Sequence, residues 1–225
     1  MTRVSKAGSA AIVGDGKNGS SARIATAGLA MLISVLVGTA RNSTARRDPR
    51  TALAIRVRVQ DYAQLPQKML QGAERVSASV LEHAGIQVTW INCPAPECQE
   101  LYLPTDLGLR ILPQSMADLV PANNDALGFA LVSTDPGSCY LASVFYHRVK
   151  TLADALGSSR ADILGYVMAH ELGHLLLRSS GHSPFGIMRA RWGEGRLELA
   201  SANAMVFTPD QERVLRLGVK TRSRQ

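Results

Sequence analysis

Residues 158–179 read SSRADILGYVMAHELGHLLLRS. Ser159 can cap a helix, and Asp162 stands three residues on, where an acidic side chain faces the free N–H groups of a helix start. No proline or other break follows until Ser179–Gly181, and Ile163, Leu164, Val167, Met168, Leu172, Leu175, Leu176 and Leu177 leave few polar positions on any side. A helix that is apolar nearly all round is a buried helix. The stretch therefore predicts the central helix around which the rest is folded. Inside it, His170, Glu171 and His174 form an HExxH pattern; residues four apart project from one face, so both imidazoles can reach one point while Glu171 leans beside them. At this chain's own His and Glu frequencies, chance supplies that pattern only about 0.004 times.

Outward from this helix the periodicity changes. Leu53, Ile55, Val57 and Val59 alternate with Ala54, Arg56, Arg58 and Gln60, the period of a half-buried strand. After Pro66 an apolar stripe at Met69, Leu70, Ala73, Val76, Val80, Leu81 and Ala84 predicts an amphipathic helix that stops at Gly85, and Ile86, Val88 and Trp90 predict a second strand. Short apolar runs at Leu107–Leu112, Leu127–Ser133 and Tyr140–His147 are separated by turn-rich segments. A last helix is expected at Thr208-Pro209-Asp210-Gln211, where a capping Thr, a first-turn Pro and a Gln at the capping-box position coincide. The expected fold is α+β: a mixed sheet of about five strands packed on helices, with a central helix and a C-terminal helix.

The chain of 225 residues carries a net charge of +7 with 46% hydrophobic residues. That excess sits at the ends: Arg3, Lys6, Lys17 and Arg23, then Arg41, Arg46, Arg47 and Arg50, and finally Lys220, Arg222 and Arg224. Residues 51–219 are left slightly acidic, so a basic binding face on the body is not supported and nucleic acid is not the expected partner. Residues 24–40, IATAGLAMLISVLVGTA, follow scattered positive charge and close on Gly38 and Ala40, which reads as a secretory signal peptide or an uncleaved N-terminal membrane anchor. The organisation expected is a leader over 1–40, a basic spacer over 41–50, a folded domain over 51–219 and a basic tail over 220–225. In either case the body lies outside the cytoplasm, secreted or periplasmic. Cys93 and Cys98 in CPAPEC could then close a short disulfide loop, with Cys139 left over or paired to one of them. A zinc reading of Cys93 and Cys98 is weaker, since no second CxxC-like half exists.

Two imidazoles and a carboxylate on a buried helix need a strong shared partner, and a cation supplies one. Imidazole ligation with an open position suits zinc. A catalytic zinc wants a third protein ligand. His182 is the nearest candidate, with Gly181 before it able to end the helix and turn the chain back. Glu194 and Glu198 compete at the spacing used by peptidases with a glutamate ligand on a second helix, although Gly193 and Gly195 bracket Glu194 and disfavour a helix there.

The segment HELGHLLLRSSGHSPFGIM, residues 170–188, resembles the zinc-binding segment of the metzincin metallopeptidases, and its His-Ser followed by Ile-Met is most similar to the matrixin branch. The chain is divergent within that pattern: LLLRSSG separates His174 from His182, longer than the family's spacing, and Leu177 stands where the family has glycine. The resemblance implies a metzincin-like fold over the body, His170, His174 and His182 as zinc ligands, Glu171 as general base and Met188 as the methionine of the turn beneath the metal. It also implies a peptide or protein substrate docking along a sheet edge, with Tyr140–His147 as the candidate edge strand. Tyr146, His147 and Tyr166 are candidates for stabilising an oxyanion, and His83 reads as a cation at a helix end.

The function expected is an exported zinc metallopeptidase, with a zinc-activated water attacking the peptide carbonyl and Glu171 carrying the proton. Two alternatives stand beside it. One is a non-enzymatic, zinc-stabilised cell-surface binding domain, and the other a gluzincin-like peptidase with Glu194 as third ligand. Glu171 favours the enzyme, because a purely structural site needs no carboxylate beside the water position.

Overall fold

The computed structural model describes residues 53–119, 125–132, 140–191 and 205–224. These lie within a unit spanning residues 46–225. The leader, the apolar segment 24–40 and the basic spacer fall outside the described residues, as do Cys139, Glu194 and Glu198. Among the described residues no helix is long and apolar enough to cross a membrane.

The opening strand–helix–strand unit forms where the alternation and the 3.6-residue stripe place it. Strand β1 (Leu53–Asp61) leads through helix α1 (Gln67–His83) to β2 (Ile86–Asn92), and the two strands pair in parallel from Leu53↔Ile86 to Val59↔Asn92. Gly85 makes the tight exit from α1 with φ at 82°, a conformation that costs glycine little. Strand β3 (Asp106–Leu112) joins the other side of β1 in parallel, a short helix α2 (Gln114–Ala117) follows it, and β4 (Gly128–Leu131) and β5 (Leu141–Phe145) complete the sheet. Among the described residues the order is β2-β1-β3-β5-β4, with only β4 antiparallel to its neighbour. The sheet is mixed and five-stranded, and with its helices the fold is α+β.

One sequence expectation is corrected here. Tyr140–His147 is not an edge strand: β5 lies inside the sheet between β3 and β4, and it ends at Phe145. Tyr146 and His147 instead open helix α3 (Tyr146–Leu156), which ends at Gly157 with φ at 62°. The edge on that side is β4.

Helix α4 (Arg160–Leu177) is the predicted central helix, and Ser159 Oγ accepts the Asp162 N–H at its start. It crosses α1 at Gly165, where an added Cβ would lie 2.5 Å from the Ala73 carbonyl oxygen and 2.6 Å from Val76 Cβ. Leu164, Met168 and Leu172 of α4 share one buried cluster with Ile55, Val57 and Val59 of β1 and Leu107, Leu109 and Ile111 of β3. Helix α5 (Pro209–Arg222) carries the predicted capping box: Thr208 N–H donates to Gln211 Oε1, and Gln211 N–H to Thr208 Oγ1. The basic tail drawn at 220–225 thus begins inside a helix, and Arg222 is 2% exposed rather than solvated.

On the outward face of β1, Arg56 and Arg58 converge on Asp106 of β3. Arg58 also donates to the carbonyls of Cys98, Glu100 and Leu101, fastening the loop that the Cys93–Cys98 disulfide closes.

Candidate metal centre

The two histidines of the HExxH pattern sit one turn apart on α4, and each is held at the nitrogen that points away from the other. His170 Nδ1 lies 2.7 Å from the Ile187 carbonyl and His174 Nδ1 lies 2.7 Å from the Ser179 carbonyl. A carbonyl only accepts, so both Nδ1 atoms carry the proton and both Nε2 atoms present a lone pair. Those Nε2 atoms face each other across 3.1 Å. His182 joins them, its ring 4.9 Å from that of His174 and stacked at 5.3 Å on that of His170. One ligand atom from each of the three lies within 4.8 Å of the others.

The chain reaches His182 by a route the sequence misassigned. The residue that ends α4 in the left-handed region is Arg178, φ 51° and ψ 41°, not Gly181. Its guanidinium donates to Tyr140 Oη at 3.1 Å, and the next residue supplies the carbonyl that His174 uses. Past His182 the loop closes on itself: Ser183 N–H donates to the Met188 carbonyl and Ser183 Oγ to that of Phe185. Gly186, at φ 71°, lets Ile187 N–H reach the Val206 carbonyl, and a side chain there would collide with that same oxygen at 2.4 Å. Met188 is buried against α4 at Gly173, where a Cβ would fall 2.7 Å from its sulfur.

Electrostatics keep His170 and His174 neutral. Burial pulls His170 down to about 3, helped by His174 and His182 and opposed by the Ile187 hydrogen bond; burial lowers His174 as well. Glu171 is 4% exposed, and burial pushes its carboxyl up to about 8. All four residues line a cavity of about 720 Å³, walled by Leu127 and Phe129 at β4, Leu152 of α3 and Val167 of α4, with Arg189 and Arg191 beyond Met188.

The candidates for oxyanion contact are placed elsewhere. Tyr146 Oη donates to Met69 Sδ, and neither it, His147 nor Tyr166 lines the cavity among the described residues. His83 closes α1 within 3.7 Å of Glu212. What the sequence missed is the place of β4 at the site: Gly128, Phe129 and Ala130 form one wall of the cavity, and no local signal tied the run Leu127–Ser133 to it.

No family model matches the chain, and no curated protein matches it. Among solved structures it is similar to the crystal structure of archaemetzincin from Methanopyrus kandleri, at 18% identity over 76% of this chain and 98% of that one, with a TM-score of 0.44. The chemistry of the site therefore rests on its own atoms.

Those atoms fit a metal ion. Two neutral rings with their protons on Nδ1 have none to share between Nε2 atoms at 3.1 Å, and two lone pairs at that distance repel unless a cation takes both. Bonds of about 2.0 Å at tetrahedral angles separate ligand nitrogens by about 3.3 Å, so the spacing suits zinc. The backbone carbonyls behind each ring are the outer partners that fix a metal-binding histidine's tautomer and orientation. The three-histidine group can hold a metal ion, and zinc is the ion that its donor set suits.

Proposed function

We propose that the chain is an exported zinc-dependent endopeptidase in which His170, His174 and His182 hold the ion and Glu171 is the general base. The observation that carries this reading is Glu171 itself: a buried carboxyl next to a ligand, open to the same cavity, with no partner for its Oε2 among the described residues. A site that only holds a fold together has no use for such a group, which is costly to bury unpaired. Bound zinc would supply a Lewis acid that polarises a peptide carbonyl and makes nearby water easier to deprotonate. Glu171, facing the same cavity as the three histidines, takes a proton from the attacking water and delivers it to the leaving amine.

Strand β4 is the docking edge. It pairs with β5 on one side, and its residues Gly128–Ala130 line the cavity. An extended peptide adding to the free side would gain main-chain hydrogen bonds and pass before the three histidines. Met188, packed on α4 at Gly173, serves as the methionine beneath the ligands. Export is supported by the apolar segment 24–40, read as a signal or an anchor, and by the Cys93–Cys98 bridge, a bond that persists in oxidising compartments.

The test is metal content and peptide hydrolysis measured together on the purified chain. One zinc per chain, hydrolysis of an unstructured protein substrate, and a loss of about 100-fold or more in kcat for Glu171→Ala with zinc retained are expected. Hydrolysis undiminished in Glu171→Ala, or no zinc taken up by the wild type, overturns the reading.

A further inference from the structure

We propose that Gly128, on the edge strand, is the positioning residue for Glu171. Among the described residues no hydrogen bond or ion pair holds the Glu171 carboxyl, and its Oε2 is buried without a partner. Its direction is therefore set by packing, and Gly128 is one of the residues packed against it. A Cβ built there would stand 2.8 Å from Glu171 Oε1 and 2.9 Å from its Cγ. Rotating the carboxyl would relieve the first clash but not the second, so a methyl group at residue 128 displaces the whole arm.

The same Cβ would meet the Ser143 carbonyl of β5 at 2.5 Å, so glycine also serves the pairing of β4 with β5. The two demands differ in how they can be relieved. Among the described residues β4 has a single neighbour in the sheet and can shift along its other side, whereas Glu171 sits in the stretch of α4 from Val167 to Leu176 that is buried throughout. Glycine at residue 128 thus lets the strand that would receive substrate also form the wall that aims the base. The inference rests on the proposed role of Glu171 for its catalytic consequence only.

A double-mutant cycle on the full chain tests it, with Gly128→Ala, Glu171→Ala and both together, reading melting temperature with zinc added. Gly128→Ala is expected to lower Tm, and the drop to shrink to about half or less once Glu171→Ala has removed the arm. An equal drop in both backgrounds assigns the glycine to Ser143 alone and overturns the proposal. If Gly128→Ala does not fold, recovery of folded protein in the double variant supports the proposal and failure of both refutes it. The catalytic readout is a kcat lowered about tenfold or more, with KM within about twofold and zinc content unchanged. A wild type without hydrolysis would sink the peptidase reading while leaving the Tm cycle to decide this one.

Discussion

His170 and His174 present their Nε2 atoms to each other at 3.1 Å while the carbonyls of Ile187 and Ser179 occupy both Nδ1 atoms. The chain is thereby folded into a conflict that a cation resolves, and metal should stabilise it. Free zinc at about 100 times its dissociation constant adds about 2.7 kcal/mol, which for a chain of this size raises Tm by about 5–10 °C. Chelation should reverse the gain. Calorimetry on His170→Ala should show no response to zinc, and His182→Ala, which removes the exposed ligand and leaves the buried pair, should respond only at higher zinc concentration. A wild-type Tm indifferent to zinc would contradict the site.

Asp106 gives the fold its acid sensitivity. Burial by itself would push its carboxyl up, but the hydrogen bonds from Arg56, the Leu103 backbone and Arg58, together with the charge of Arg56, outweigh it and hold the carboxyl below its ordinary 3.8. A folded-state value below the unfolded one means that the stabilisation is present above about pH 4 and is lost as pH falls through the folded value. Urea titrations from pH 6 to pH 2 should show wild type losing stability in that lower window and Asp106→Asn losing less. At neutral pH that substitution leaves two guanidinium groups short of their carboxylate and should cost about 3 kcal/mol. A variant as stable as wild type at pH 7 would mean that the network contributes little.

Gly165 sets two principles against each other. On an exposed helix, glycine to alanine would stabilise by about 1 kcal/mol. Here the added methyl meets the Ala73 carbonyl oxygen at 2.5 Å and Val76 Cβ at 2.6 Å, and neither backbone oxygen nor a Cβ can swing aside. Overpacking at a helix crossing costs about 1–3 kcal/mol, so Gly165→Ala should be destabilising despite its better propensity. Denaturant midpoints for Gly165→Ala settle the sign; a gain in stability would show that α1 and α4 can separate freely.

What the sequence made legible was local. The Ser159 cap, the unbroken apolar run and the fourfold spacing of His170 and His174 all concern residues within a turn or two of one another, and α4 formed as expected. The alternation of β1 and the Thr208–Gln211 box were legible for the same reason. Strand order was not, because β5 enters between β3 and β4 through contacts far apart in sequence. Helix α3 was hidden by its abrupt start: Phe145 ends a strand and caps the helix with no side-chain hydrogen bond, so the apolar run Tyr140–His147 reads as one strand. The signal that could have revealed it is downstream, in the Val149–Ala153 spacing closed by Gly157. The end of α4 misled for a physical reason as well, since Arg178 adopts the left-handed conformation that glycine takes more readily, with its guanidinium on Tyr140.

Arg222, a residue of the expected basic tail, is buried. Its guanidinium is stacked 3.6 Å over the Tyr140 ring and donates to the Leu175 carbonyl, while Nε and Nη1 are buried without partners among the described residues. Burial pulls its pKa down, Tyr140 opposes that, and the neighbouring Arg178 adds to it. Stacking a desolvated cation on an aromatic ring contributes about 2 kcal/mol. Two unpaired N–H groups cost about 1–3 kcal/mol each, so the losses match or exceed the gain. Arg222→Met, which keeps the length and places a thioether by the ring, should therefore leave stability unchanged or raise it by about 1 kcal/mol. Urea unfolding at pH 7 measures this directly. A loss above about 2 kcal/mol would mean that the cation on Tyr140, rather than the apolar stem beneath it, fastens α5 to the core.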